Sequence, residues 1–206
     1  VENTLTDRSL ELTIAGFDLT ANRVGMDFSN VATAGAEFPS QIISVGPSSM
    51  ANTSVGTPGG TVLTNSIRNS TAEGLVLRAE GNSLTANSTQ QLSVTDTTID
   101  MSGGDGIQII ADVGVHQQLV EFNNVDSTNN GGNGIAIING DTVINGGQTA
   151  TTRDGASPQE IVILNSEIAS NTLDGINITL VDVGAQELVI QGNRIVNNGG
   201  DGIDSI

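Results

Sequence analysis

The sequence predicts an all-β solenoid, in which short strands stack as successive turns of a single chain. Three observations carry this expectation: a glycine-centred unit recurring six times, apolar alternation on both sides of each glycine, and a composition rich in turn formers. The clearest copy runs from Leu188 to Ile203. Counting back from Gly202, Asp201 comes first, Asn198 lies four before it, Ile195 seven before and Ile190 twelve before. The same ruler on Gly175 finds Asp174, Asn171, Ile168 and Ile163. On Gly106 it finds Asp105, Ser102, Ile99 and Val94, and on Gly74 it finds Glu73, Ser70, Ile67 and Val62. Gly134 keeps Asn133, Asn130 and Phe122 but has Ser127 where an isoleucine is expected. Gly25 fits after deletion of one residue, with Asn22, Leu19 and Ile14. Spacing is nearly constant inside a unit and variable between units, which separates a structural repeat from tolerated insertions.

Each unit holds two alternating runs. One precedes the corner, as in Leu92/Val94, Val120/Phe122, Ile161/Ile163 and Leu188/Ile190. The other follows the glycine, as in Leu75/Leu77, Ile107/Ile109, Ile135/Ile137 and Ile176/Ile178. Alternation over four to six residues is the period of a strand. Between the runs sits a polar corner. Its glycine is expected to supply positive φ or close backbone approach. The Asn or Ser four residues earlier is expected to take the left-handed conformation or to bond its own backbone. Such a unit cannot fold alone: a handful of buried side chains at ~1.5–3 kcal/mol each falls far short of backbone ordering at about 1–2 kcal/mol per residue. Stacking pairs the strands of neighbouring units and buries their apolar columns. The architecture that results is a single-stranded parallel β-helix, right-handed by the usual crossover preference.

Taken in order, residues 1–9 form a polar lead-in and residues 10–28 the first unit. Residues 29–60 read as the longest insertion, with Pro39, Pro47 and Pro58 and one apolar patch, Ile42-Ile43-Ser44-Val45, that suits an extra strand. The second unit covers 61–77, followed by a short polar insert at 78–91. The third covers 92–109, and its tail Asp112-Val113-Gly114 returns as Asp182-Val183-Gly184 after the fifth. The fourth covers 120–137, residues 138–160 are the other long insertion, the fifth covers 161–178 and the sixth starts at 188. All insertions are expected to leave at one corner and so to share one side of the molecule. The whole of 1–206 reads as one β-helix domain. Val1 opens with neither methionine nor signal peptide, and the chain stops inside a strand, so a segment of a longer solenoid is the expectation.

Carried by Gly103-Gly104-Asp105-Gly106-Ile107, Asn133-Gly134-Ile135, Asp174-Gly175-Ile176-Asn177-Ile178 and Gly200-Asp201-Gly202-Ile203, the chain resembles the parallel β-helix repeat family. That family includes pectate lyases, polygalacturonases, bacterial surface adhesins and phage tailspikes. The resemblance covers most of residues 10–206 and speaks to fold far more than to function.

Composition narrows the function classes. The formal charge is −17, with six arginines, no lysine and no cysteine. Such a surface repels phosphate backbones, so nucleic acid is excluded as a partner. Without thiols, neither disulfides nor thiolate-bound metal supports the fold. No apolar window is long enough for a membrane-spanning helix.

One column invites chemistry: Glu73, Asp105, Asn133, Asp174 and Asp201 stack at the corner. At a spacing of about 4.8 Å, neighbouring exposed carboxylates repel by about 1 kcal/mol. A Ca2+ ion held by Asp174 and Asp201 would relieve this. Asp204 joins them because Gly199–Ile206 matches one copy of the calcium-binding nonapeptide of repeat-in-toxin proteins. The plainer reading is that Asp before Gly is ordinary corner chemistry. The residues expected to shape the corner are Gly25, Gly74, Gly106, Gly134, Gly175 and Gly202 with Asn130, Asn171 and Asn198. No catalytic residue is assigned. The arginines (Arg8, Arg23, Arg68, Arg78, Arg153, Arg194) are dispersed, His116 is single, and neither Trp nor Tyr offers a sugar platform. The expectation is a non-catalytic, extracellular or cell-surface structural or adhesive rod of a large bacterial surface or secreted protein, meeting other copies of itself or cell-surface glycans. The alternative is a fragment of a β-helix polysaccharide lyase or hydrolase that binds acidic polysaccharide.

Overall fold

The computed structural model describes residues 2–3, 10–32, 40–46, 65–81, 87–111, 115–139, 159–180 and 186–205. Among these residues there are seventeen strands and no helix, and every strand pairing is parallel. The chain is all-β.

The first sheet gathers the strands that follow the turn glycines. Its order is Glu2–Asn3, Met26–Ala32, Leu75–Gly81, Ile107–Ala111, Ile135–Asn139, Ile176–Leu180 and Ile203–Ser205, the order of the chain itself. Register sets Met26, Leu75, Ile107, Ile135 and Ile176 side by side in one row, with Phe28, Leu77, Ile109, Ile137 and Ile178 in the next. Alternation makes both rows point the same way, and all ten side chains are buried.

The second sheet gathers the strands that precede the corner. Its main line runs through Leu10–Ile14, Ser40–Val45, Asn87–Asp100, Val115–Thr128, Gln159–Leu164 and Gln186–Gln191. A side line adds Asp18–Thr20, Asn65–Arg68, Glu167–Ala169 and Arg194–Val196, joined through the far halves of the two fourteen-residue strands. Main-line rows are Leu12, Ile43, Leu92, Val120, Ile161, Leu188 and Ile14, Val45, Val94, Phe122, Ile163, Ile190. The side-line row is Leu19, Ile67, Ile99, Ser127, Ile168, Ile195. Inward side chains of both sheets form one hydrophobic cluster. Burial of this kind, at about 25 cal/mol per Å² of apolar surface, is the main term holding the units together.

Two features differ from the sequence reading. Val45, not Val62, stands beside Val94, and the patch Ile42–Val45 is the second unit's main-line strand. Val62 lies outside the described residues. Consequently the connection 47–64 departs in the middle of the second unit, between Ser40–Val45 and Asn65–Arg68, and does not share the corner of the others. Parallel pairing also reaches into segments expected to be insertions: residues 29–32, 87–91, 115–119 and 159–160 all lie in strands, while the strand expected at the Ile42–Val45 patch spans Ser40–Val45. The repeated Asp112-Val113-Gly114 and Asp182-Val183-Gly184 fall outside the described residues.

Candidate functional site

At the corner, the left-handed backbone lies one residue before the expected Asn or Ser column. Positive φ occurs at Ala21, Asn69, Met101, Asn129, Ser170 and Asn197. None of the six turn glycines has positive φ; what they supply is closeness. A Cβ on Gly175 would lie 2.5 Å from the Gly202 carbonyl oxygen, 2.5 Å from Ile195 Cγ2 and 2.8 Å from Asn198 Nδ2. Only glycine fits there.

The third of these contacts belongs to an asparagine ladder that the local-turn reading did not foresee. Asn198 Oδ1 accepts both the backbone N–H and the Nδ2 of Asn171, at 3.1 and 3.0 Å. Asn171 Oδ1 accepts the same pair from Asn130, at 3.1 and 2.9 Å, and Asn130 Oδ1 accepts the Ser102 N–H at 2.9 Å. Each side chain therefore bonds the preceding unit and not its own backbone. Ser127, the missing isoleucine, donates its hydroxyl to the Gly134 carbonyl at 2.7 Å and accepts from Asn130 Nδ2 at 3.2 Å. Further along the column, Ser70 and Ser102 replace Asn, and their buried hydroxyls have no partner.

The acidic column works in the same manner. Asp174 Oδ1 accepts the Asp201 N–H at 2.8 Å, and Asp105 Oδ1 accepts the Asn133 N–H at 2.7 Å and its Nδ2 at 3.1 Å. Asn133 Oδ1 accepts the Asp174 N–H at 3.0 Å. Asn177 Nδ2 lies between Asp174 Oδ2 (3.0 Å) and Asp204 Oδ2 (3.4 Å), placing an amide donor between the two carboxylates. Among the described residues no group of three or more His, Asp or Glu side chains is arranged to hold a metal ion, so Asp174, Asp201 and Asp204 do not converge as one. Burial pushes the Asp105 carboxyl above its ordinary range; the bonds from Asn133 pull it back, and the Glu73 charge pushes it further up. Asp126 is also raised, first by burial and then by Glu167, its partner across the sheet.

A second ladder, absent from the sequence reading, lines the other corner. Gln90 Nε2 donates to Gln41 Oε1 at 2.7 Å, Gln118 Nε2 to Gln90 Oε1 at 2.9 Å and Gln159 Nε2 to Gln118 Oε1 at 2.8 Å. All four side chains are buried, and Gln90 and Gln118 also donate to the Arg78 and Ile110 carbonyls of the first sheet. The signal was present: Gln90, Gln118, Gln159 and Gln186 each stand sixteen residues before a turn glycine. So was that for a further bend, where Gly16, Asp96, Asn124, Asn165 and Gly192 all have positive φ.

The outer face of the second sheet holds an open depression of about 360 Å³. Ile42, Leu119 and Val162 line it, together with Glu121 and Glu160, and among the described residues no cationic side chain does. Register places Ile42, Gln91, Leu119 and Glu160 in one row and Ser44, Ser93, Glu121 and Val162 in the next. Elsewhere, Arg194 pairs with Glu167 on the surface, Arg68 lies in the side line beside Thr20 and Asp100, and His116 lies in the strand Val115–Thr128 beside Ser88. Arg8 and Arg153 fall outside the described residues. No protein-family model, curated protein or solved structure matches this chain. Among the described residues no helix is long and apolar enough to cross a membrane.

Proposed function

We propose that the two sheets are sides of one continuous right-handed coil, a single-stranded parallel β-helix of the parallel β-helix repeat type. In this reading it serves as a non-catalytic structural or adhesive rod of an extracellular bacterial surface or secreted protein. The observation carrying the proposal is that each unit visits both sheets in the same order and register, with side-chain ladders bonding unit to unit. Architecture of this kind commits its polar interior to stacking, leaving the outer faces for contact. Right-handedness follows from the preference of parallel crossovers. Its partners in this reading are cell-surface glycans or other copies of the chain. Beads coated with the protein should adhere to envelope preparations, immobilised glycans or one another. Failure on all three surfaces by a folded, monodisperse sample sinks the adhesive role.

The second reading, a fragment of a polysaccharide lyase or hydrolase, has one observation in its favour: Glu121 and Glu160 line the same depression, and paired carboxylates are what glycoside hydrolysis requires. An acidic lining opposes an acidic polysaccharide, because like charges repel across the contact. Incubation with polygalacturonate, followed for unsaturated products and new reducing ends, separates the two readings.

A further inference from the structure

We propose that the outer face of the second sheet docks a basic, aliphatic-bearing peptide segment. The proposal rests on the adhesive reading for its setting and adds, for this one face, a partner class beyond glycans and other copies of the chain. Its basis is the pattern of that face. Ile42, Leu119, Val162 and Val189 turn outward there, with Ile42 and Val189 each 37% exposed. Glu11, Glu121, Glu160 and Glu187 occupy neighbouring positions of the same two rows, and no arginine does. Apolar positions interleaved with carboxylates match a ligand that presents aliphatic surface and cations together. Lysine and arginine do this within one residue, laying an apolar stem along the sheet while the head reaches a glutamate.

Charge excludes the competing occupants. Two copies of this face would bring glutamate against glutamate, and an acidic polysaccharide would meet the same repulsion. A neutral sugar lacks the aromatic platform that stacking needs, since the chain has no Trp or Tyr and no Phe lines the depression. A basic peptide gains from both components, and its approach is steered by a molecule of formal charge −17.

Fluorescence anisotropy with a fluorescein-labelled decapeptide of alternating lysine and valine, at physiological ionic strength, tests the proposal. The wild-type 206-residue chain should bind it. Glu121→Gln with Glu160→Gln should weaken binding at least about tenfold, and Val162→Thr, isosteric and on the surface, should weaken it several-fold. The control pair Asp126→Asn with Asp204→Asn removes as many charges elsewhere and should change affinity less than about twofold. Absence of binding overturns the proposal. So does equal binding of a lysine–serine decapeptide, an equal loss in the control pair, displacement by a neutral oligosaccharide, or dimerisation through this face. Bead adhesion without peptide binding overturns this inference and leaves the adhesive role standing. Peptide binding without bead adhesion does the reverse.

Discussion

Gly175 and Gly202 hold equivalent places in the repeat yet face different surroundings. A Cβ on Gly175 would press against a carbonyl oxygen and two side-chain atoms of the next unit, whereas one on Gly202 would meet only Ile195 Cγ2, at 3.8 Å. Gly175→Ala should therefore cost about 1–3 kcal/mol through forced backbone shifts, while Gly202→Ala in the same 206-residue chain should lie within about 0.5 kcal/mol of neutral. Urea melts of the two variants measure the difference. Asp105 offers a test by pH. Its folded pKa is raised, so the folded state holds the proton more tightly than the unfolded chain does. Its contribution to stability is complete below the ordinary carboxylate range and is lost as pH rises through the folded value. Asn133 already fills the same column with a neutral amide and bonds both neighbours. Asp105→Asn should thus raise stability at pH 7, and the gain should shrink as pH falls into the ordinary carboxylate range. A thermal melt series across that range reads it directly.

Among the elements, the ladders determine how well one strand holds the next. Gln118 accepts from Gln159 and donates to both Gln90 and the Ile110 carbonyl, in a fully buried position. Gln118→Leu should cost about 1–3 kcal/mol, because it strands an amide donor of Gln159 and an acceptor of Gln90 away from water. The asparagine column offers the opposite experiment. Ser102 leaves a buried hydroxyl without a partner where Asn130, Asn171 and Asn198 bond the unit before them. Ser102→Asn should extend the ladder toward Ser70 and stabilise the chain by about 0.5–1.5 kcal/mol, visible as a higher denaturant midpoint at unchanged slope. At this scale the sequence was half legible. Strand periodicity exposed the apolar rows directly, but the glutamines looked like polar positions in connecting segments. Nothing in a local window shows that a polar side chain will be buried against its own kind several tens of residues away.

For the whole molecule, stability is the sum of many unit-to-unit interfaces, and the charge is carried on the outside. Asp105 and Asp174 each accept an N–H of the adjacent unit, which offsets part of the repulsion along the acidic column without a metal ion. Melting in calcium and in EDTA should give the same midpoint within about 1 °C, since an unbound ion contributes nothing by mass action. A calcium-dependent rise would assign Asp174, Asp201 and Asp204 as a cation site.

The sequence by itself determined the repeat, the strand period, the rows of apolar side chains and the glycine at each corner. These are encoded by spacing within a short window, where backbone geometry and side-chain alternation act directly. Only the tertiary structure decided that Val45 lies beside Val94, that asparagine and glutamine bond across units, and that Glu121 and Glu160 share a depression with Ile42. Connections of unequal length, such as 47–64 and 140–158, separate these residues along the chain. Register between stacked strands brings them together, and register is set by the packing of the whole core.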